Sequence, residues 1–97
     1  MRDTHRLRRQ MACTRAEFMA WLPGATRHAQ LRVHGNTVTI STGSGSVLIT
    51  FEEGLPRRAG AMALPVLEVS FGFSGLDGTA RERFLHYFDL YTRRGGG

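Results

Sequence analysis

The sequence predicts an α+β fold: a four-stranded antiparallel meander with an N-terminal and a C-terminal helix packed on one face, in the order α-β-β-β-β-α. Three observations predict it. Thr14-Arg15-Ala16-Glu17 and Thr79-Ala80-Arg81-Glu82 both read as capping boxes ahead of apolar stripes. Between them, apolar and polar residues alternate over most of positions 30–73. Turns rich in glycine, serine and asparagine separate the alternating stretches. A chain of 97 residues has room for one core of this kind.

The first helix opens after Thr14. Phe18, Met19, Trp21 and Leu22 form its apolar stripe, and Pro23-Gly24 are expected to end it after about two turns. Leu31 and Val33 then alternate with Gln30, Arg32 and His34, as Val38 and Ile40 do with Thr37, Thr39 and Ser41. Closing a hairpin at Gly35-Asn36 pairs Val33 with Val38 and Leu31 with Ile40 on one face. Arg32 meets Thr39 and His34 meets Thr37 on the other. Thr42 to Ser46 is the next turn, leading to Val47, Ile49 and Phe51. Parity demands an even loop here, centred on Ser44-Gly45.

Glu52 to Pro56 makes a third turn. Arg58 to Phe73 reads as one long strand interrupted near Pro65, where the apolar parity passes from Met62 and Leu64 to Leu67, Val69, Phe71 and Phe73. The last helix follows Thr79. Phe84, Leu85, Phe88 and Tyr91 face the core, Tyr87 and Leu90 lie at its shoulders, and Asp89–Arg93 is an i,i+4 ion pair. Leu31, Val33, Val38, Ile40, Ile49, Phe51, Val69 and Phe71 are thus expected to share one buried face with Phe84 and Phe88.

All 13 basic residues are arginine, a bias that suggests a GC-rich bacterial genome. Residues 1–10 hold four arginines and one aspartate, so without them the charge of +5 falls to +2. They are expected to form a flexible basic arm, with residues 11–94 as the single domain and 95–97 as a flexible glycine tail. No apolar run approaches the roughly 20 residues of a membrane helix. The arm is not followed by the ~7–15 apolar residues of a secretory signal. The one cysteine, Cys13, has no partner for an internal disulfide. A soluble, cytoplasmic protein with no membrane partner is the expectation.

Specialised chemistry finds little support. Among Cys13, His5, His28, His34 and His86, no two have a zinc-site spacing, so neither metal nor cofactor is expected. Cys13 precedes a helix N-terminus, where the dipole favours a thiolate. No base is positioned beside it, however, and no catalytic activity is expected. Gly43-Ser44-Gly45-Ser46 lies between strands and not before a helix, which makes it a hairpin turn and not a phosphate cradle. Phe51, Phe71 and Phe73 all fall on the apolar parity, which leaves no rings on the open face for bases to stack on.

That open face is expected to carry Gln30, Arg32, His34, Thr37, Thr39, Ser41, Thr50, Glu68 and Ser70. Arg57-Arg58 tip a turn, and Arg93-Arg94 end the last helix. The candidate binding surface is therefore Arg32, His34, Thr39, Arg57, Arg58, Arg93 and Arg94. The expected function is a non-catalytic protein–protein interaction or assembly module, with another protein as its partner. The alternative is anion or nucleic-acid binding through arginine clusters, which include Arg2, Arg6, Arg8, Arg9 and Arg15.

A third reading comes from the C-terminus. Gly95-Gly96-Gly97 resembles the di-glycine ends of ubiquitin-like modifiers and sulfur carriers. The resemblance implies an activating enzyme that adenylates the terminal carboxylate, which then forms a thiocarboxylate or an isopeptide. By their residues alone, the same glycines are a helix end followed by a mobile tail.

Overall fold

The four-stranded meander is corrected by the computed structural model, which describes residues 4–95. The chain runs β1 (Thr4–Met11), α1 (Arg15–Ala25), β2 (Gln30–His34), β3 (Thr37–Ser41), β4 (Ser46–Glu53), β5 (Arg57–Ala59), β6 (Met62–Leu64), β7 (Leu67–Ser74) and α2 (Gly78–Gly95). The main sheet has five strands in the order β1-β7-β4-β3-β2, and β5-β6 form a separate pair. The first strand in sequence therefore lies beside the last.

Residues 4–11, expected in a flexible arm, form an eight-residue edge strand paired antiparallel with β7 from Thr4↔Ser74 to Met11↔Leu67. Arginine concealed it. Leu7 and Met11 alternate with Arg6, Arg8 and Gln10, but Arg9 occupies an inward position and breaks the apolar pattern. The structure accommodates Arg9 by packing its guanidinium 5.7 Å from the centroid of the Phe71 ring, where it pairs with Asp89 of α2. A long aliphatic stem with a charged head suits this position under a helix. Asp89 thus bonds across to β1, in place of the Asp89–Arg93 pair expected within the helix.

The hairpin register follows the sequence expectation. Val33 lies opposite Val38, Leu31 opposite Ile40, Arg32 opposite Thr39 and His34 opposite Thr37. Gly35 takes φ +61, as the first central residue of a type II′ turn requires. The next loop has the even length that parity demanded, but spans Thr42 to Gly45 and is centred on Gly43-Ser44. The Thr42 hydroxyl closes it, accepting from the Gly45 amide at 2.9 Å.

The long strand expected over Arg58–Phe73 is two structures. Gly60, at φ +63, turns β5 into β6, and after Pro65 the chain enters β7. Every residue of β5 and β6 except Leu64 is exposed, so this hairpin lies outside the core.

Both helices cover one face. Thr14 caps α1 through the expected capping box, and the helix runs eleven residues with Pro23 inside its last turn. It closes through Arg27 and His28, two successive non-glycine residues at φ 58, a costly conformation for side chains with a Cβ. The Arg27 guanidinium lies 4.4 Å over the Tyr87 ring of α2. At the second helix the cap is corrected: the Asp77 carboxylate, and not Thr79, accepts from the Ala80 amide at 2.8 Å. The buried stripe of α2 also shifts. Phe88 and Thr92 are buried, Phe84 and Leu85 half-buried, and Tyr91 is exposed.

The core joins Phe18 and Leu22 of α1 and Phe88 of α2 to Val38, Ile40, Val47, Ile49, Phe51, Leu67, Val69, Phe71 and Phe73. Ring centroids of Phe18 and Phe51 lie 5.1 Å apart, and Phe71 meets Phe88 edge-on at 5.2 Å. Burying each such side chain is worth about 1.5–3 kcal/mol. Val33 is the exception to the expected core, at 49% exposure, with Leu31 half-buried. The helix layer is tied to β1 through Asp89. At the opposite margin Arg15 of α1 reaches the β2–β3 turn, donating to Asn36 Oδ1 at 2.8 Å and to the Gly35 carbonyl at 3.0 Å. Leu31 packs against the core, while Val33 beside it is left uncovered.

Candidate functional site

Among the described residues no helix lies on the second face of the sheet, and the registers order its side chains into rungs. One rung runs Arg8, Ser70, Thr50, Thr37, His34 from β1 to β2. The next runs Arg6, Gly72, Leu48, Thr39, Arg32. Antiparallel pairing places directly opposed residues on the same side of the sheet, so each rung is a row of neighbours. Arg8 and Arg6 stand at one margin and His34 and Arg32 at the other. Between them lie the hydroxyls of Ser70, Thr50, Thr37 and Thr39, with Gly72 and the exposed Leu48. Four intervals at ~4.8 Å put the two margins roughly 19 Å apart.

A third rung is acidic. Glu68 lies opposite Glu52, with Gln10 on the outer side of Glu68. Directly opposed like charges destabilise a sheet. Here Gln10 donates to the Glu68 carboxylate at 2.9 Å, and Arg57 donates to the Gln10 carbonyl at 2.9 Å. A shallow recess of about 440 Å³ opens among Arg8, Thr50, Glu52, Gly54, Glu68 and Ser70. Its rim carries both signs of charge.

The candidate residues from the sequence divide between places. Arg32 and Thr39 are direct neighbours, with His34 on the adjoining rung, all on the open face. Arg57 reaches that face at its acidic end through Gln10, while Arg58 is exposed on the projecting hairpin. Arg93 lines a recess on the helix side with Arg9, Trp21 and Asp89, away from Arg32. Arg94 is in the last turn of α2. α2 continues into Gly95, and Gly96 and Gly97 lie outside the described residues, as does Arg2.

Sequence reasoning missed Arg6, Arg8, Gln10 and Glu52 as members of this face. The even-numbered polar positions of Arg6, Arg8 and Gln10 against Leu7 and Met11 were the available signal. The sequence reads Glu52 as the start of a turn, whereas β4 extends through Glu53.

The remaining candidates for chemistry resolve locally. Cys13 is 1% exposed. Its burial, aided by the nearby Glu17 carboxylate, pushes the thiol up from 9.0 to about 11, the reverse of the shift expected from the helix dipole. Among the described residues, no three His, Cys, Asp or Glu side chains converge on a metal-sized site. A Cβ on Gly45 would run into the Ser74 carbonyl and lie 3.0 Å from the Gly75 carbonyl carbon, so this glycine serves close backbone approach between two loops. Phe51, Phe71 and Phe73 are buried on the helix side, as their parity predicted. No helix among the described residues is long and apolar enough to cross a membrane. Compared with protein families, with curated proteins and with solved structures, the chain matches none of them.

Proposed function

We propose that this small α+β domain is a non-catalytic interaction module that binds another protein through the open face of its sheet. One observation carries the reading. Arg6 and Arg8 on one margin and Arg32 and His34 on the other bracket a hydroxyl-rich strip within the same two rungs. Hydroxyls on inner strands present donors and acceptors from a backbone held on both sides, which keeps the cost of ordering them low. Arginine margins favour carboxylates, with charge-assisted and bidentate hydrogen bonds. A protein surface bearing acidic residues on either side of a centre that is polar but for one apolar contact to the exposed Leu48 is the partner that fits.

The same arginines favour a second reading, a polyanion held by its phosphates. The absence of rings on the face removes base stacking from it, and Glu52 and Glu68 oppose a phosphate backbone at one end. Affinity capture with the full chain, read by mass spectrometry, tests the first reading against Arg8→Glu combined with Arg32→Glu. The wild type is expected to retain a defined protein that the double variant loses. Equal retention by both would remove the open face from the interaction. Titration with DNA and RNA is expected to give no complex at physiological salt. Affinity that falls steeply with ionic strength would favour the polyanion instead.

A further inference from the structure

The two edges of the sheet are built differently. β1 is eight residues long and is tied down at two places, by Arg9 to Asp89 of α2 and by Gln10, which accepts from Arg57 of the β5–β6 hairpin. β2 has neither proline nor bulge, and Arg32 and His34 both lie on the open face. On its helix side it presents Val33, 49% exposed, and the half-buried Leu31.

The free hydrogen-bonding groups of β2 belong to those same two residues. In a two-residue hairpin, the pair flanking the turn exchanges both backbone hydrogen bonds, and the pairs beyond alternate. His34↔Thr37 flanks the Gly35-Asn36 turn. The neighbouring strand agrees, because the Phe51 amide donates to the Asn36 carbonyl at 3.0 Å, which leaves Thr37 directed toward β2. Val33↔Val38 and Leu31↔Ile40 are therefore the non-bonded pairs, and the N–H and C=O groups of Val33 and Leu31 point out of the sheet.

We propose that β2 pairs antiparallel with β2 of a second copy of this chain, about a two-fold axis at Val33, to make one continuous ten-stranded sheet. The register follows from the side chains. A shift by one residue would set the helix side of one copy against the open face of the other, so only every second register is allowed. Centring on Arg32 would place that cation opposite itself. Centring on Val33 joins the two exposed valines and sets Arg32 against the imidazole of His34 of the second copy. Asn36, whose carboxamide oxygen accepts from Arg15 of α1 at 2.8 Å, stays outside the seam. The same centring also lets the two Val33 residues exchange both free backbone hydrogen bonds. A two-fold arrangement of one patch with itself is the commonest form of soluble oligomer. The inference does not rest on the acidic partner proposed above, since its hydrogen bonds come from the backbone edge of β2, although Arg32 and His34 border both surfaces.

Sedimentation of the full chain from about 1 µM to about 1 mM tests it. A concentration-dependent dimer is expected, and Val33→Lys, at an exposed site, raises its dissociation constant about tenfold or more. His34→Glu, which sets a carboxylate opposite Arg32, lowers it severalfold. Under mild oxidation Val33→Cys is expected to cross-link, because directly bonded strand partners bring their Cα atoms to about 5.5 Å, within disulfide reach. Leu31→Cys, four residues out of register with its copy, is expected not to. Circular dichroism of each variant separates loss of association from loss of fold. A monomer across the whole range, a dimer indifferent to Val33→Lys, or equal cross-linking at both positions overturns the proposal.

Discussion

Cys13 shows how two local effects compete at one atom. It precedes the cap of α1, where the helix dipole favours a thiolate by about 0.3–1 kcal/mol. Desolvation favours the neutral thiol by more, and the pKa rises to about 11. The folded chain keeps this proton at a pH where the unfolded chain, with an ordinary value near 9, has lost it. The contribution to stability is therefore fully present below pH 9 and lost as pH rises toward 11. Urea unfolding of the wild type and Cys13→Ala between pH 8 and 11 measures it, and the wild type is expected to show the steeper fall. A second contrast concerns the two faces. Val69 is 1% exposed and Thr39 half-buried on the open face. Val69→Ala is expected to destabilise by about 1–3 kcal/mol and Thr39→Ala by far less. A denaturant midpoint ranking them the other way would contradict the assignment of faces.

Single elements differ in how openly their residues announce them. The cap of α1 is legible because Thr14 and Glu17 have no rival nearby. At α2, Asp77 takes the capping role two residues before Thr79, because a carboxylate there already reaches the first free amides. β1 is the element most at odds with expectation, since Arg9 interrupts the apolar alternation of Leu7 and Met11 and β-branched residues, the usual mark of a strand, are missing from it after Thr4. Its removal tests its role. Deleting residues 1–10 takes away Leu7, Arg9 and the contact to Asp89, and leaves one edge of β7 unpaired beside Val69 and Phe71. The loss is expected to be several kcal/mol out of a typical total of about 5–15, enough to lower the thermal midpoint sharply or abolish the cooperative transition. An unchanged midpoint would return these residues to the status of an arm. Because the deletion acts on the fold, the open-face arginines are better probed by substitution.

At the scale of the whole molecule, local pattern and tertiary assembly divide the work. The sequence by itself determined the type of most elements, the register of β2 against β3, the even length of the next loop and the buried parity of the phenylalanines. Each of these follows from neighbours along the chain: a two-residue turn sets its own pairing, and alternation assigns a face. The sequence also placed Arg32, His34 and Thr39 together on the open face. Tertiary structure decided what lies beside what at long range. It brought the first strand against the last, turned Arg9 inward to meet Asp89, and set Arg6 and Arg8 across the sheet from Arg32 and His34. It also left Val33 uncovered, though its parity marks it as core. The reason is geometric: alternation tells which side of a sheet a residue faces, while the placement of the helices over that side determines which residues are covered.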